Sequence, residues 1–438
     1  MKTRVNYYKE RFQGFLEKVL GLPPLAWVLL AFLVNYATFF LRPVFFNSDL
    51  SISYIHKYIP VVGKIGFDIR AFMRYVDNWF VLNQSPYLDG FIAYPPLTVL
   101  LYAPLNRIGY PAYFALITIV TLVVYTCITL LLPLFATQKR NISLVLFFYI
   151  TGLFSYGLQF ELERGQSDVI AFALCLLAIF LYHYYEKFRY LAYILFSISI
   201  QLKLYPAIFI IMFVKDWKEW KDNIIRFLGL ALFNVGLLFV LGYRIFLDFA
   251  AAIVGAQGYQ STSPYNLSIK GFVGYLVGCE WNFWGASHLK ALQQNAQLME
   301  YLLLALFSVC FLLLIASAYK NNIGGINPYL LFGCTIGALI IPSISNDYKL
   351  PLLQVPMLVS LSTLPRCDTN LKKSILIIII TIISIAYWST FYPFMVKPDF
   401  LSRNFIPLVV ILMSITALSI TMDGDYEPMY LVKEKDKE

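Results

Sequence analysis

Long apolar runs recur along the chain and are separated by short polar segments. Most runs have about twenty residues, and a helix of that length crosses the roughly 30 Å hydrocarbon core of a bilayer. The pattern therefore predicts an all-α polytopic membrane protein. The predicted spans lie near residues 24–41, 111–133, 142–158, 168–185, 224–243, 298–318, 326–342, 351–364, 374–394 and 404–421.

The apolar run 190–214 has two interpretations. As one span it would place Lys203 near the bilayer centre, at a cost of about 2.5–3.5 kcal/mol, and Pro206 would interrupt its hydrogen bonds. As a hairpin reversing at Lys203–Pro206, it would keep the lysine near one surface. The hairpin puts about 20 of the 34 Lys and Arg on the side of the N-terminus, against about 15 for a single span. The positive-inside rule thus favours the hairpin, about twelve membrane segments and cytoplasmic termini.

This topology divides the polar segments between the two sides of the membrane. We expect one transmembrane domain, 1–421, followed by a charged cytoplasmic tail, 422–438. Segment 215–222 would also be cytoplasmic. The outer segments would be 42–95, 159–168, the tip at Lys203, 244–296 and 342–351.

Residues 67–82 combine apolar and charged positions. Ile69, Phe72 and Val76, together with Trp79 and Phe80, recur at helical spacing, whereas a polar set that includes Tyr75 falls largely elsewhere. The pattern predicts an amphipathic helix in the interface plane, with its apolar face toward the bilayer. Alternatively, this segment only caps the helical bundle.

Two further features lie on this first outer loop. Asp68 would occupy the first helical turn, where the helix dipole favours a carboxylate. The sequence YPPL at 94–97 predicts a second short helix that begins at a proline.

Composition and charge narrow the functional classes. Hydrophobic residues make up 59% of the chain and charged residues 13%, about half the share in a soluble protein. The net charge of +9 comes from scattered basic residues, which the positive-inside rule explains, so we expect no nucleic-acid partner. The six cysteines form no CxxC pair and there are three histidines, so neither a disulfide framework, a zinc site nor a His-based triad is indicated.

Five short stretches carry a resemblance to a known family. They extend from about residue 60 to 360 in the family's order and read FDIRAFMRYVDNWFVLNQSPYLDGFIAYPPL, ERGQSDVIAFAL, QLKLYPAIFI, NLSIKGFV and SISNDYKLPLL. They resemble the GT-C superfamily of membrane glycosyltransferases and, more narrowly, glycosyltransferase family 87, which includes polyprenol-phosphate-mannose-dependent mannosyltransferases.

The resemblance implies a GT-C-like bundle in a bacterial plasma membrane, with an outer active-site face formed by the loops 42–95 and 244–296. The donor would be a polyprenyl-phosphate sugar, the acceptor a lipid-linked or surface glycan, and transfer would invert the anomeric centre. The resemblance implies no cofactor. A metal site is not indicated either, because the sequence around Asp68 shows no dense cluster of carboxylates. Some relatives carry histidine where this chain has Asn346, Asp347, Tyr348 and Lys349, which leaves the role of this loop and the acceptor open.

The resemblance also implies a catalytic base in the first loop. Asp68 matches that position. Asp49, in FNSDLS after the first predicted span, is the second candidate, and it could instead cap a helix.

Three basic residues are candidates for binding the donor phosphate. Lys203 is the first, because an ionisable group within apolar sequence is a functional hypothesis by default, although it could snorkel to the interface. Lys349 and Arg164 are the others, and Arg164 could equally pair with Glu161 or Glu163.

Sugar or acceptor contacts are expected from several polar residues. Asn266 could bind a sugar or only form a turn with Ser268, and Gln166 opens a span where free amides could bind an anion. The remaining candidates are Asn346, Asp347 and Tyr348.

A transporter or lipid flippase is the competing class, because it would also show about a dozen spans and broken helices. Transporters often contain internal repeats, and the two halves of this chain show no self-similarity. A purely structural membrane subunit does not explain charged residues confined to one face. The sequence therefore favours a transferase.

Overall fold

The computed structural model describes most of the chain between residues 65 and 363. The described residues are 65–88, 94–110, 112–136, 142–153, 155–259, 266–278, 293–322 and 324–363. The predicted spans 24–41, 374–394 and 404–421, the tail 422–438 and Asp49 lie outside them.

The described part of the chain is all-helical, as predicted. Its α-helices are α1 Phe67–Phe80, α2 Pro96–Asn106, α3 Ala112–Thr126, α4 Leu132–Ala136, α5 Ile142–Leu153, α6 Tyr156–Arg164, α7 Asp168–Tyr184, α8 Arg189–Leu202, α9 Trp220–Leu237, α10 Tyr243–Tyr259, α11 Ile269–Gly278, α12 Ala296–Asn321, α13 Pro328–Ile340 and α14 Gln354–Thr363. A π-helical turn, Cys127–Leu131, joins α3 to α4, and 3₁₀ segments occupy Glu186–Phe188, Tyr205–Met212 and Asp347–Leu353.

Long apolar helices match several predicted spans. Within the described ranges, Ala112–Leu134 and Ala296–Asn321 are each long and apolar enough to cross a membrane, in agreement with the predictions 111–133 and 298–318. A third candidate is the bent pair Gly157–Arg164 and Asp168–Tyr184. These helices fit a membrane protein, while the total of about twelve segments and their sidedness stay predictions.

The predicted span 142–158 is not one continuous helix, and the prediction that 159–168 is a turn is wrong, while the outer position of 159–168 stays a prediction. Helix α5 ends at Leu153, and Ser155 adopts an extended conformation and caps α6 by accepting a hydrogen bond from Leu158 N. The polar run is therefore mostly helical and buried. Gly165 then takes a left-handed φ of 64°, and α6 and α7 diverge by 108°. Glycine populates this region without steric cost, which allows so sharp a turn.

The chain reverses at Lys203, as the hairpin interpretation of 190–214 predicts. Helix α8 ends at Leu202, Lys203 is extended with φ −151°, and the 3₁₀ segment Tyr205–Met212 returns along the bundle. The rings of Tyr193 and Phe213 lie 6.1 Å apart. The two ends of the segment therefore meet on one side.

The amphipathic helix of the first loop is present, with Asp68 in its first turn, and α2 begins at a proline. The prediction that its apolar face points into the bilayer is wrong. Ile69, Phe72 and Val76 are at most 4% exposed, and the ring of Phe72 stacks on Tyr102 of α2 at 4.9 Å. Tyr75, predicted on the polar face, is also buried. Tyr102 of α2 therefore gives this face a protein partner.

Candidate functional site

The turn between α6 and α7 is the meeting point of four other segments. Gly66 N donates to Glu163 O at 2.8 Å, which places the start of α1 beside this turn. The side chains of Asp68 (α1), Tyr94 (before α2), Lys203 (after α8) and the 3₁₀ segment Asp347–Leu353 then converge on it.

Asp68 lies at the edge of this cluster. Gln166 Nε2 donates to its Oδ2 at 2.6 Å, and Arg164 Nη1 lies 3.6 Å from its Oδ1. The Asp68 side chain is 16% exposed. The carboxylate is thus held by two groups of the turn and still reaches the surface.

Lys203 has several polar partners, one of which is a carboxylate that the sequence analysis did not identify. Its Nζ lies 2.8 Å from Asp168 Oδ2 and donates to Gln166 Oε1 at 2.5 Å and to Tyr94 Oη at 3.0 Å. Asp168 is fully buried. Gln166 therefore links the two predicted residues, since it donates to Asp68 and accepts from Lys203.

Arg164 pairs with Glu163, one of its two predicted acidic partners, and also lies near Asp68, while its phosphate contact stays a prediction. Arg164 Nε lies 3.3 Å from Glu163 Oε2, and the guanidinium also sits 5.1 Å from the ring of Phe160. Glu161 bonds to the backbone instead of to Arg164, since its Oε1 accepts a hydrogen bond from Val169 N at 3.0 Å. The N-terminus of α7, proposed as an anion site, thus already holds a carboxylate.

Lys349 differs from the other two cations. It is 7% exposed, and its Nζ lies 5.3 Å from the centre of the Tyr205 ring. No carboxylate lies within 4 Å of it among the described residues, whose ion pairs involve Arg164, Arg189 and Lys203. It follows Tyr348 in the predicted outer segment 342–351. Burial lowers the pKa of its ammonium to about 8, with Asp168 acting against this and Lys203 with it.

The neighbours of Lys349 are also near the cluster. The ring of Tyr348 lies 5.7 Å from Lys203 Nζ, and its hydroxyl accepts a hydrogen bond from Asn346 Nδ2 at 3.2 Å. Asp347 is buried. The sugar contacts expected of these three residues stay predictions.

Asn266 makes the contacts expected of a turn. Its Nδ2 donates to Ser343 O at 2.9 Å, and its Oδ1 accepts from Ser268 N and Ser345 N at 3.1 and 2.9 Å. These bonds tie the start of α11 to the loop that leads to Lys349. They support the turn interpretation, and sugar binding by Asn266 stays a prediction.

Sequence reasoning missed two residues that complete the cluster, namely Tyr94 and Asp168, and it named Glu163 only as a possible partner of Arg164. The available signal was the run ELERGQSD, which places three acids and an arginine between two apolar stretches. Buried ionic groups are rare unless they are paired. The described residues contain no group of three His, Cys, Asp or Glu side chains arranged to hold a metal ion.

Gly165→Ala should damage the site through the backbone. A Cβ at this position would lie 2.8 Å from Ile69 Cγ2, and a left-handed non-glycine residue costs about 1–3 kcal/mol. We expect a lower unfolding temperature in detergent and reduced activity. Gly229→Ala is the matched control, since its Cβ would meet nothing within 4 Å. An equally stable Gly165→Ala protein would contradict the tight docking of α1 on this turn.

A protein-family model covers much of the described part of the chain. The model of glycosyltransferase family 87 matches residues 91–342, more than half of the chain. The match includes Arg164, Gln166 and Lys203, whereas Asp68 and Lys349 lie just outside it. No curated protein and no solved structure matches the chain. From the extent of the family match, the chain belongs to glycosyltransferase family 87.

Proposed function

We propose that this glycosyltransferase moves a sugar from a polyprenyl-phosphate carrier to a lipid-linked or surface glycan on the outer face of a bacterial plasma membrane. The observation that carries the proposal is the convergence of a partly exposed carboxylate, Asp68, with three cations from separate segments. A transferase of this type needs a base for the acceptor hydroxyl and positive charge for the departing phosphate.

Among the described carboxylates of this cluster, Asp68 is best placed to act as the base. Glu161, Glu163 and Asp168 are fully buried, whereas the Asp68 side chain is 16% exposed. An acceptor hydroxyl can therefore reach Asp68 but not the other three. In the proposed step Asp68 takes the hydroxyl proton, the acceptor oxygen bonds to the anomeric carbon, and the bond from that carbon to the phosphate oxygen breaks. The electron pair stays on the phosphate, and attack from the opposite face inverts the centre.

Of the three cations, Lys349 is the one whose positive charge is least neutralised by a nearby carboxylate, so it is best suited to bind the phosphate. Lys203 lies 2.8 Å from Asp168, and Arg164 is shared between Glu163 and Asp68, so both are partly neutralised. Lys349 has no such carboxylate among the residues described. A buried charge without a counter-ion is costly, and a bound phosphate would supply that counter-ion. Lys203 and Arg164 would add to the field around the leaving group.

The proposal is tested by transfer in a defined system. The purified full-length protein is reconstituted in liposomes with a polyprenyl-phosphate sugar and a polyprenyl-linked glycan acceptor, in the presence of EDTA, since the proposed step uses no metal ion. We expect a new glycosidic bond, detected by mass spectrometry. A nucleotide sugar without the lipid carrier should give none. Transfer from the nucleotide sugar would overturn the donor assignment, and movement of lipid across the bilayer without a new bond would favour the flippase.

The charge of Lys349 should appear in the pH dependence of transfer. A lysine is charged below its pKa, so with a pKa of about 8 it loses its charge as the pH rises through that value. We expect kcat/KM to fall above about pH 8. In Lys349→Arg, whose guanidinium stays charged, this alkaline limb should move up by at least one pH unit. Lys187→Arg, at an exposed position, is the control and should leave the pH profile unchanged. If the fall in kcat/KM also stays at the same pH in Lys349→Arg, another group causes it.

A further inference from the structure

An apolar groove of about 500 Å³ opens between α8 and α9, at the end of α8 away from Lys203. Tyr190, Ile225 and Phe233 on its walls are 81%, 69% and 51% exposed. In a membrane protein such side chains face the acyl chains of lipids rather than water. The groove is also lined by Tyr193, Ile194 and Leu230.

Three cations converge beside the mouth of this groove. The guanidinium groups of Arg226 and Arg189 lie 5.2 and 5.9 Å from the centre of the Tyr182 ring, and Lys215 Nζ lies 5.6 Å from it. Arg226 is also part of the groove wall, and the rings of Tyr182 and Tyr193 are 6.0 Å apart. Basic side chains from α8, α9 and the segment between them therefore lie close together around the Tyr182 ring.

These cations are incompletely balanced by acids. Arg189 pairs with the exposed Glu186 at 2.9 Å. Arg226 donates to Phe213 O and to Asn223 Oδ1, both at 2.8 Å, and these partners are neutral. Within the described residues no carboxylate lies within 4 Å of Arg226 or Lys215.

Two titratable groups at this point, Lys215 and Asp222, carry opposite charges. Burial, together with Arg189 and Arg226, lowers the pKa of Lys215, while Glu186 raises it. Asp222 contributes one carboxylate to the groove wall. The dominant mutual effect among the three cations is repulsion, which a bound anion would relieve.

We propose that this site binds an anionic membrane phospholipid. Its phosphate would lie against Lys215, Arg189 and Arg226, and one acyl chain would fill the groove between α8 and α9. A lipid satisfies both halves of the site, whereas a free phosphate would leave the apolar groove without a ligand. The segment 215–222 is predicted to be cytoplasmic, and basic pockets between membrane helices on that side bind anionic headgroups.

The test measures lipid binding to the full-length protein in neutral detergent. After delipidation, phosphatidylglycerol or phosphatidylcholine is titrated, and bound lipid is counted by native mass spectrometry. We expect phosphatidylglycerol to bind at least tenfold more tightly. Lys215→Gln should weaken phosphatidylglycerol binding about fivefold, the effect of one basic residue near a membrane surface. Gly229→Leu should fill the groove and weaken both lipids, because a Cβ there meets nothing within 4 Å and the fold should tolerate it.

Matched controls separate the site from general charge and hydrophobicity. Lys187→Gln removes the same charge from an exposed lysine beside Phe188, and Gly236→Leu adds the same side chain to α9 beyond the groove lining. Both should bind phosphatidylglycerol like the wild type. Equal affinity for the two lipids, unchanged binding in Lys215→Gln and Gly229→Leu, or full displacement by millimolar inorganic phosphate would each overturn the proposal.

Discussion

Asp68→Asn should abolish sugar transfer while leaving donor binding nearly intact. The amide keeps the shape of the carboxylate and can still accept the hydrogen bond from Gln166, but it cannot take a proton from the acceptor. A positioned general base contributes about 10²–10⁴ in rate, so we expect kcat to fall by that factor. Turnover of the reconstituted protein and binding of labelled donor are measured on the same preparation.

Asp77→Asn is the matched control, because it makes the same chemical change on the same helix. Asp77 accepts a hydrogen bond from Asn106 at 2.6 Å and is not part of the cluster around Gln166. It should retain most of the activity. Asp49→Asn is the more demanding comparison. A dead Asp49→Asn beside a nearly normal Asp68→Asn would move the base to the end of the first predicted span, and equal modest losses in all three would leave the first loop as a bundle cap.

Local signals in the sequence predicted the elements that position Asp68 and Lys203. A helical repeat with an early acid placed Asp68 in the first turn of α1, and a proline marked the start of α2. The Lys203–Pro206 break indicated where the hairpin reverses. Each of these features depends on residues within one turn of it. It can therefore be read from the local sequence, without knowledge of the tertiary contacts.

Amphipathicity predicted that one face of α1 is covered but not what covers it. Apolar spacing is the same for a helix lying on lipid and for one packed on other helices. Tyr102 of α2 stacks on Phe72, and no local pattern encodes a contact thirty residues away. The apolar face of α1 was therefore predicted correctly, but it packs against protein and not against the bilayer.

The error at 159–168 has a different physical origin. The density of charge in ELERGQSD suggested an exposed turn, since charged groups are rarely buried. In the structure these charges satisfy one another or the backbone, with Glu163 on Arg164 and Glu161 on the start of α7. A run of three acids and one arginine around a glycine thus permits a buried, sharply bent pair of helices. Recognising this requires the pairing with Lys203 and Asp68, which are distant in sequence.

Lys203→Met should destabilise the protein strongly, because it leaves the fully buried Asp168 without its cation. Breaking a buried ion pair by removing one partner costs about 3–5 kcal/mol. We expect a large drop in the unfolding temperature and in the yield of folded protein. Arg189→Met is the control, because its pair with Glu186 is solvent-exposed and such pairs contribute less than about 1 kcal/mol.

Activity of the single variant cannot separate folding from catalysis, but the double variant Lys203→Met/Asp168→Asn can. Removing both charges leaves no uncompensated carboxylate, and replacing a buried ion pair by neutral groups is often nearly neutral for stability. We expect most of the folded protein to return. If Lys203 also stabilises the leaving phosphate, kcat of this folded double variant should stay about 10²-fold or more below the wild type, in the range for losing one electrostatic donor. Normal turnover in the folded double variant would make Lys203 a structural partner of Asp168 and leave the phosphate to Lys349 and Arg164.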